Sequence, residues 1–205
     1  MVNALTSAIT QILVFALTPF LLFVIKNKSA KGFLNYIGLK KPTKKANLLA
    51  LLIIFLLAIP LLLLTTTNEE FKSIMTNPQS TTGNIKQMGI GLETIITILI
   101  AAILRTSLSE EIFFRGFLAK RLIALTNFQT GNFLQALIFG IIHTLFFLPI
   151  THNALFLLVI FIFPAMSAYF QTYLNEQYAN GSIIPGWIAH GTANLIAYSF
   201  VLFAL

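Results

Sequence analysis

Two adjacent glutamates and an arginine, Glu110, Glu111 and Arg115, interrupt an apolar stretch of this chain. Only six of the 205 residues are acidic, so a pair of carboxylates between Leu108 and Ile112 requires a reason. On a helix, Glu111 and Arg115 are four residues apart and can neutralise each other, while Glu110 projects about 100° away. A carboxylate without a partner in an apolar helix is costly and usually functional. Glu110 is therefore the first candidate for a chemical role.

Three more hydrogen-bonding residues lie in apolar stretches of the second half of the chain: His143, His190 and Asn194. His190 and Asn194 are four residues apart, so a helix presents them on one face. By helix rise, His143 lies about 12 Å from the outer end of its stretch and His190 about 12 Å from the inner end of its own. With some tilt of the helices, these groups reach the depth of Glu110.

A carboxylate, two imidazoles and a carboxamide at one depth are the groups that a water-activating hydrolytic site needs. Glu110 would act as the general base, a histidine would orient or share the proton, and histidine and asparagine donors would stabilise an oxyanion. Glu111 and Arg115 are interpreted as an internal ion pair that braces the helix. A single histidine or asparagine in a membrane can instead form a hydrogen bond between helices, and that alternative stays open for each of them.

The composition places these residues in a membrane protein. The chain is 57% hydrophobic and 9% charged, whereas soluble domains carry about 25% charged residues. At about 20 residues per crossing, the length accommodates roughly six spans. The sequence has no cysteine, which excludes disulfides, thiolate catalysis and Cys-ligated metals. The net charge of +7 is better explained by membrane topology than by nucleic-acid binding, so no nucleic-acid partner is expected.

The sequence predicts an all-α fold: a polytopic membrane helix bundle that forms one integral-membrane domain over residues 1–205. Residues 1–88 would hold two spans, a basic inner loop and a polar outer loop at 65–87. Residues 89–205 would form a core that carries the polar groups described above. The predicted spans are residues 4–25, 47–64, 89–124, 133–150, 154–174 and 183–205.

The third apolar run admits two interpretations. It either ends near Arg105 and leaves the acidic pair in a loop, or it continues as one long helix to about residue 124. The long helix is favoured because residues 112–124 are strongly apolar and Glu111 can balance the charge of Arg115. Only this helix places Glu110 within the hydrocarbon layer, about 20 Å from the inner end.

Positive charge predicts the orientation of the bundle. Seven lysines lie between residues 26 and 45, which marks this segment as cytoplasmic and puts the N-terminus outside a multi-pass cell-membrane protein. Within that segment, residues 32–39 are expected to lie in the headgroup region. Of the 13 lysines and arginines, only Lys72 and Lys86 fall on the outer side. The first 25 residues lack a basic start and a clear cleavage site, so they are interpreted as a retained span.

Three motifs, in order along the chain, resemble those of the CPBP family, also called Abi. This family contains prenyl-protein (CAAX) endopeptidases and bacteriocin-processing membrane proteins. The chain is similar to the EExxxR motif at residues 110–115, to FxxxH at 139–143 and to HxxxN at 190–194. The resemblance extends over about residues 89–205.

The resemblance implies an intramembrane endopeptidase. It assigns activation of the attacking water to Glu110 and His143, oxyanion binding to His190 and Asn194, and support of the first motif to Glu111 and Arg115. Both a metal-dependent and a metal-free glutamate mechanism are associated with the family. If a metal such as Zn²⁺ is present, its ligands would be His143, His190 and Glu110.

The implied partners are the lipid bilayer and a peptide or protein substrate in the membrane. For a chain of this size, the resemblance suggests processing of bacteriocin or pheromone precursors, prenylated-type substrates, or self-immunity to a bacteriocin. Two other classes stay open: a non-catalytic immunity or interaction protein, and a proton-coupled transporter that uses Glu110 and the histidines as a relay. The intact set of motifs favours an enzyme, and the two halves show no convincing repeat of the kind common in transporters.

Overall fold

The computed structural model describes residues 2–205, and this part of the chain contains helices and no strands. In chain order the helices are α1 (Val2–Asn27), α2 (Phe33–Tyr36), α3 (Lys44–Thr67), α4 (Glu69–Met75), α5 (Thr81–Gln87), α6 (Leu92–Leu125), α7 (Phe128–Phe147), α8 (Ala154–Gln177) and α9 (Ile184–Ala204). All except α2, α4 and α5 are long and apolar enough to cross a membrane. The prediction of an all-α bundle with six spans is confirmed.

Many large apolar side chains on α1 and α3 face outward. Leu13 on α1 is 65% exposed, and Leu48 and Leu56 on α3 are 70% and 63% exposed. An apolar surface of this extent is unfavourable in water and favourable against lipid. Together with the lengths of the helices, it makes the chain a multi-pass membrane protein.

The two ends of the bundle carry different connections. Residues 28–43, 126–127 and 178–183 lie at one end, which we call the basic end because of its lysines. Residues 68–91 and 148–153 lie at the other end, which we call the α4–α5 end. Both α1 and α6 run from the α4–α5 end to the basic end, so they are parallel neighbours.

The predicted polar loop at 65–87 is wrong, because most of it folds into α4 and α5. The side chains of Asn68 and Ser80 accept hydrogen bonds from backbone N–H groups in the first turns of these helices, which is the standard way to begin a helix. Phe71 of α4 packs against Phe156 of α8, with ring centroids 5.0 Å apart. These caps and this aromatic contact keep a polar segment ordered against the bundle.

The start of α7 also differs from the prediction. The residues between the predicted spans 89–124 and 133–150 are expected to form a polar loop at 126–132. Most of this segment is helical instead, because Asn127 caps the helix by accepting a hydrogen bond from the Thr130 N–H at 2.9 Å. The first turn of α7 is polar, so hydropathy alone places the span five residues too late, at 133 instead of Phe128. A capping asparagine just before a helix is a local signal that hydropathy does not record.

The long helix α6 is continuous over 34 residues, so the interpretation in which it ends near Arg105 is wrong. Its centre is π-helical at Ile100–Leu108 and at Glu111–Ala119. The Thr106 hydroxyl donates to the carbonyl of Ala101, five residues back, at 2.8 Å. π-Helical turns are rare and frequent at functional sites. Glu110 lies at the junction between the two π-helical stretches.

Polar contacts fasten the basic end. The backbone N–H of Ile183 donates to the carbonyl of Gly38 at 2.9 Å, and the Lys120 ammonium binds Glu176 at 2.5 Å and the carbonyl of Gly181 at 2.9 Å. Gly38 has a φ of +77°, and a Cβ there would lie 2.4 Å from the Gly181 carbonyl oxygen, so only glycine fits. The segment after α1 is thereby held against α6 and α9.

Candidate active site

A cavity of about 1180 Å³ extends from the α4–α5 end to the middle of the bundle. Its inner part is lined by Glu110, His143, His190 and Asn194, which come from α6, α7 and α9. The structure therefore brings the four residues expected to do chemistry into one space. Their chemical roles stay predictions, but the required proximity is present.

Glu110 contributes the only carboxylate that lines this cavity among the residues the structure describes. Its Oε2 is buried and has no hydrogen-bond partner. It lies 3.8 Å from Nε2 of His190, which is too long for a direct hydrogen bond. A small polar group beside the pair, within hydrogen-bond distance of both atoms, would therefore satisfy both of them.

His190 is oriented by Glu111. Its Nδ1 lies 3.1 Å from Oε1 of Glu111. A carboxylate only accepts hydrogen bonds, so Nδ1 donates and Nε2 is left facing Glu110. The motif spacing predicts only that Glu111 pairs with Arg115; the structure adds the contact with His190, through the same carboxylate oxygen.

The ion pair between Glu111 and Arg115 lies in the core of the bundle. The side chains are 0% and 1% exposed, and Nη1 of Arg115 is 3.3 Å from Oε1 of Glu111. The Arg115 guanidinium also stacks over the Phe139 ring at 4.1 Å from its centroid, a favourable cation–π arrangement. The ion pair that the sequence predicts between Glu111 and Arg115, as a brace of the helix, is thus present and buried.

His143 is held by its own helix. Its Nδ1 lies 2.9 Å from the carbonyl oxygen of Phe139, so Nδ1 donates and Nε2 is free. The Phe139 ring packs against both imidazoles, with centroid distances of 4.3 Å to His143 and 6.0 Å to His190. The phenylalanine of the FxxxH motif thus spaces the two histidines, a role that the sequence does not reveal.

Asn194 connects α9 to the π-helical part of α6. Its Nδ2 donates to Oγ1 of Thr106 at 2.8 Å and to Oγ of Ser107 at 3.2 Å. The carboxamide lines the cavity, but both of its N–H groups are engaged in these bonds. Oxyanion binding by Asn194 stays a prediction. It requires one of these two hydrogen bonds to break, so that its N–H can donate to the oxyanion instead.

Gly186 gives Glu111 the space that it occupies. A Cβ at Gly186 would lie 2.7 Å from Oε2 of Glu111 and 2.8 Å from Nδ2 of Asn175. The Gly186 N–H donates to Oδ1 of Asn175 at 3.0 Å, which fixes the start of α9. No motif in the sequence points to this close approach, because it depends on how α9 crosses α6 and α8.

The cavity also has a polar wall on α1 that the predictions did not include. Asn3, Thr6, Ser7, Thr10 and Gln11 all line it. Their spacing places them on one face of a helix that is otherwise apolar. That periodicity is the signal that could have identified α1 as part of the site. The Gln11 side chain also donates to the Ser109 hydroxyl, next to Glu110, at 3.3 Å.

The donor set is chemically suited to Zn²⁺, because both histidines have a free Nε2 and Glu110 has a free oxygen. The arrangement does not fit a three-ligand site, however. Among the described residues, no three His, Cys, Asp or Glu side chains form a group that could hold a metal ion.

Comparison with protein families gives one match. The family model described as type II CAAX prenyl endopeptidase Rce1-like matches residues 92–196. This range begins at the first residue of α6, ends within α9 and includes all three motifs. Comparisons with curated proteins and with solved structures give no match.

Proposed function

This chain belongs to the Rce1-like family of type II CAAX prenyl endopeptidases, and we propose that it hydrolyses a peptide bond of a membrane-associated peptide inside the bilayer. Membership makes it an intramembrane CAAX-type endopeptidase in general terms. The observation that carries the specific proposal is the gap of 3.8 Å between Oε2 of Glu110 and Nε2 of His190, at the inner end of a large cavity. A water molecule in the cavity beside this pair can lie within hydrogen-bond distance of both atoms.

We infer that Glu110 activates this water. The carboxylate takes a proton from the water while the water oxygen attacks the scissile carbonyl carbon. Glu110 then passes this proton to the leaving nitrogen as the C–N bond breaks, so the products are a carboxylic acid and an amine. The free Nε2 of His143 accepts a hydrogen bond from the water or the substrate and keeps the reacting groups aligned.

The oxyanion requires donors, and His190 and Asn194 are the proposed ones. When Nε2 of His190 carries a proton, Glu111 compensates the positive charge through Nδ1. Asn194 can turn one N–H from Ser107, its longer contact at 3.2 Å, toward the oxyanion. Preorganised donors of this kind account for about 10²–10³-fold in rate each.

The direct test is cleavage of a defined peptide by the purified protein in lipid nanodiscs. We expect a farnesylated peptide or an N-acylated peptide to be cut at one bond, as detected by mass spectrometry. Because Glu110 activates the water itself in this mechanism, EDTA and 1,10-phenanthroline should leave the rate unchanged. Loss of activity with chelator, restored by Zn²⁺, would replace the glutamate mechanism with a metal mechanism. No cleavage of any membrane-anchored peptide would contradict the proposed function.

Substitution of Gly186 by alanine is expected to lower kcat by about a hundredfold. The new Cβ would lie 2.7 Å from Oε2 of Glu111, so the carboxylate and the bound His190 must move. Displacement of a catalytic group by about 1 Å has effects of this size. The measurement is the cleavage rate at saturating peptide.

The matched control is Gly191→Ala on the same helix. A Cβ at Gly191 has its nearest neighbour at 3.7 Å, an ordinary contact, so this variant should keep nearly full activity. Equal activities of the two variants would show that the position of Glu111 does not matter for the reaction.

We further propose that the cavity opens on the extracytoplasmic side. The basic end carries the lysines of residues 26–45 together with Lys120 and Arg121, whereas the α4–α5 end carries Lys72 and Lys86. By the positive-inside rule the basic end is cytoplasmic. The cavity extends to the opposite end, so substrate would enter from the outer face. This access supports an exported peptide, such as a bacteriocin or pheromone precursor, as the substrate.

The absence of cysteine allows a simple test of this orientation. Gln79→Cys lies at the cavity entrance and Ser29→Cys at the basic end, and both native side chains are exposed. In intact cells, a membrane-impermeant maleimide should label Gln79→Cys and not Ser29→Cys. Both should be labelled after permeabilisation, which controls for reactivity. Labelling of Ser29→Cys alone would reverse the orientation.

A further inference from the structure

Arg105 lies half-buried in the wall of the large cavity, in the first π-helical stretch of α6. Among the described residues, its guanidinium has no salt-bridge or hydrogen-bond partner. The other cations of α6 are engaged: Arg115 with Glu111, Lys120 with Glu176, and Arg121 over the Tyr36 ring at 4.2 Å. Arg105 is thus a cation inside a membrane span for which residues 2–205 supply no counter-charge.

A positive charge in this position is costly unless an anion or water neutralises it. The described residues that line the cavity offer hydroxyl and amide groups from α1, α5, α6 and α9, the Tyr198 hydroxyl among them, with Glu110 as the one carboxylate. Within the described part of the chain, no carboxylate oxygen lies within salt-bridge distance of Arg105, and Oε2 of Glu110 has no hydrogen-bond partner. The guanidinium of Arg105 and the carboxylate of Glu110 therefore line the same cavity without pairing, and each can bind a ligand there.

The position of Arg105 along α6 relates it to the proposed water site. It precedes Glu110 by five residues, which is about one π-helical turn, and it lies on the side of the cavity entrance. A peptide whose scissile bond reaches Glu110 from the entrance therefore has a flanking part beside Arg105. A planar guanidinium binds a carboxylate through two parallel hydrogen bonds.

We propose that Arg105 is a binding residue for a carboxylate of the substrate, on the entrance side of the scissile bond. This inference rests on the proposed peptidase function. The carboxylate has two sources, the free C-terminus of the peptide or an acidic side chain. In either case Arg105 sets which peptides are accepted, and Glu110 carries out the chemistry.

The first test measures the carboxylate preference of the cavity without any peptide. Ser7 lines the cavity on α1. The parallel helices α1 and α6 are joined by the hydrogen bond between Gln11 and Ser109. Ser7 lies four residues before Gln11, and Arg105 lies four residues before Ser109, so the two are at the same level. In Ser7→Cys, the single thiol can be alkylated by iodoacetate, which carries a carboxylate, or by neutral iodoacetamide. We expect Arg105→Gln to lower the ratio of the iodoacetate rate to the iodoacetamide rate about fivefold.

The ratio isolates the effect of charge on the reagent. Arg105 also favours the thiolate form of the cysteine, but this affects both reagents equally and cancels. Arg105→Lys should keep most of the ratio, because it retains the charge. Lys86→Gln is the matched control: it removes one positive charge at the same end of the bundle but outside the cavity lining, and it should leave the ratio unchanged. An unchanged ratio in Arg105→Gln overturns the proposal.

The second test identifies the source of the carboxylate. Three N-acylated peptides of one sequence are compared: a C-terminal acid, a C-terminal amide, and an amide whose last residue is aspartate. The wild type should cleave the acid with kcat/KM about tenfold higher than the first amide, mainly through KM, and Arg105→Gln should remove this difference. If only the aspartyl amide is favoured, the carboxylate is a side chain; equal cleavage of all three overturns the proposal.

The two tests separate failure of this inference from failure of the proposed function. If the wild type cleaves none of the peptides while the reagent ratio still depends on Arg105, the peptidase function is wrong and the carboxylate site stands. If cleavage is normal and the ratio is independent of Arg105, the peptidase function stands and the carboxylate site is wrong.

Discussion

Glu110→Gln is expected to lower the rate of peptide cleavage by about 10³-fold, the scale of a positioned general base. Glutamine keeps the size of the side chain but cannot take a proton from water. Oε2 of Glu110 has no bond to any described residue, so its replacement breaks no structural contact there. The protein should therefore fold normally and unfold at the same or a higher temperature. The measurements are single-turnover cleavage in nanodiscs and thermal unfolding of the same preparation.

The control for this result is Glu70→Gln, which makes the same change on an exposed residue of α4. It should leave both cleavage and unfolding unchanged. Full activity in Glu110→Ala, which lacks any hydrogen-bonding group at this position, would falsify the hydrolytic mechanism.

Glu111→Gln, one residue further along the chain, should have a different outcome. Loss of the carboxylate leaves Arg115 as an uncompensated charge in a site where both side chains are almost fully buried. Removal of one partner of a buried pair costs about 3–5 kcal/mol. It also replaces the charged acceptor of His190 Nδ1, at 3.1 Å, by a neutral amide oxygen. We therefore expect a large loss of stability together with loss of cleavage, measured by thermal unfolding and by the peptide assay.

Glu69→Gln is the matched control for the buried pair. Glu69 lies 3.8 Å from Lys72 in a surface pair, and its side chain is 87% exposed, so solvent screens the interaction. This variant should unfold like the wild type. If Glu111→Gln also unfolds like the wild type, the Glu111–Arg115 pair is not a structural brace. Together with Glu110→Gln, the experiment separates the roles of two adjacent carboxylates.

Much of the fold could be predicted from the sequence, because length and hydropathy largely determine where a chain crosses a membrane. The long helix α6 was predictable for a related reason: the charge of Arg115 can be balanced within its own helix by Glu111. The errors lie at polar segments such as 65–87, where side-chain caps and a single aromatic contact produce helices. Hydropathy does not record these local bonds.

The candidate site was predictable in its residues and less so in its contacts. Motif spacing predicts that Glu110, His143 and His190 lie at a similar depth in the membrane, and in the structure all three line the same cavity. The bond from Glu111 to His190 was not predictable, because it depends on the π-helical path of α6 and on the missing Cβ of Gly186. The sequence marks Arg105 only as a possible helix end, since its lack of a partner is a property of three-dimensional packing.

The bonds at the basic end have a mechanical consequence. Ile183 and Gly38 are joined by a backbone hydrogen bond, and a Cβ at Gly116 would lie 2.5 Å from the carbonyl oxygen of Ile37, so α6, α9 and the segment after α1 meet there without slack. These close backbone contacts fix the basic end of the bundle. We therefore expect any helix movement that admits a bulky peptide to occur at the cavity entrance, away from Glu111.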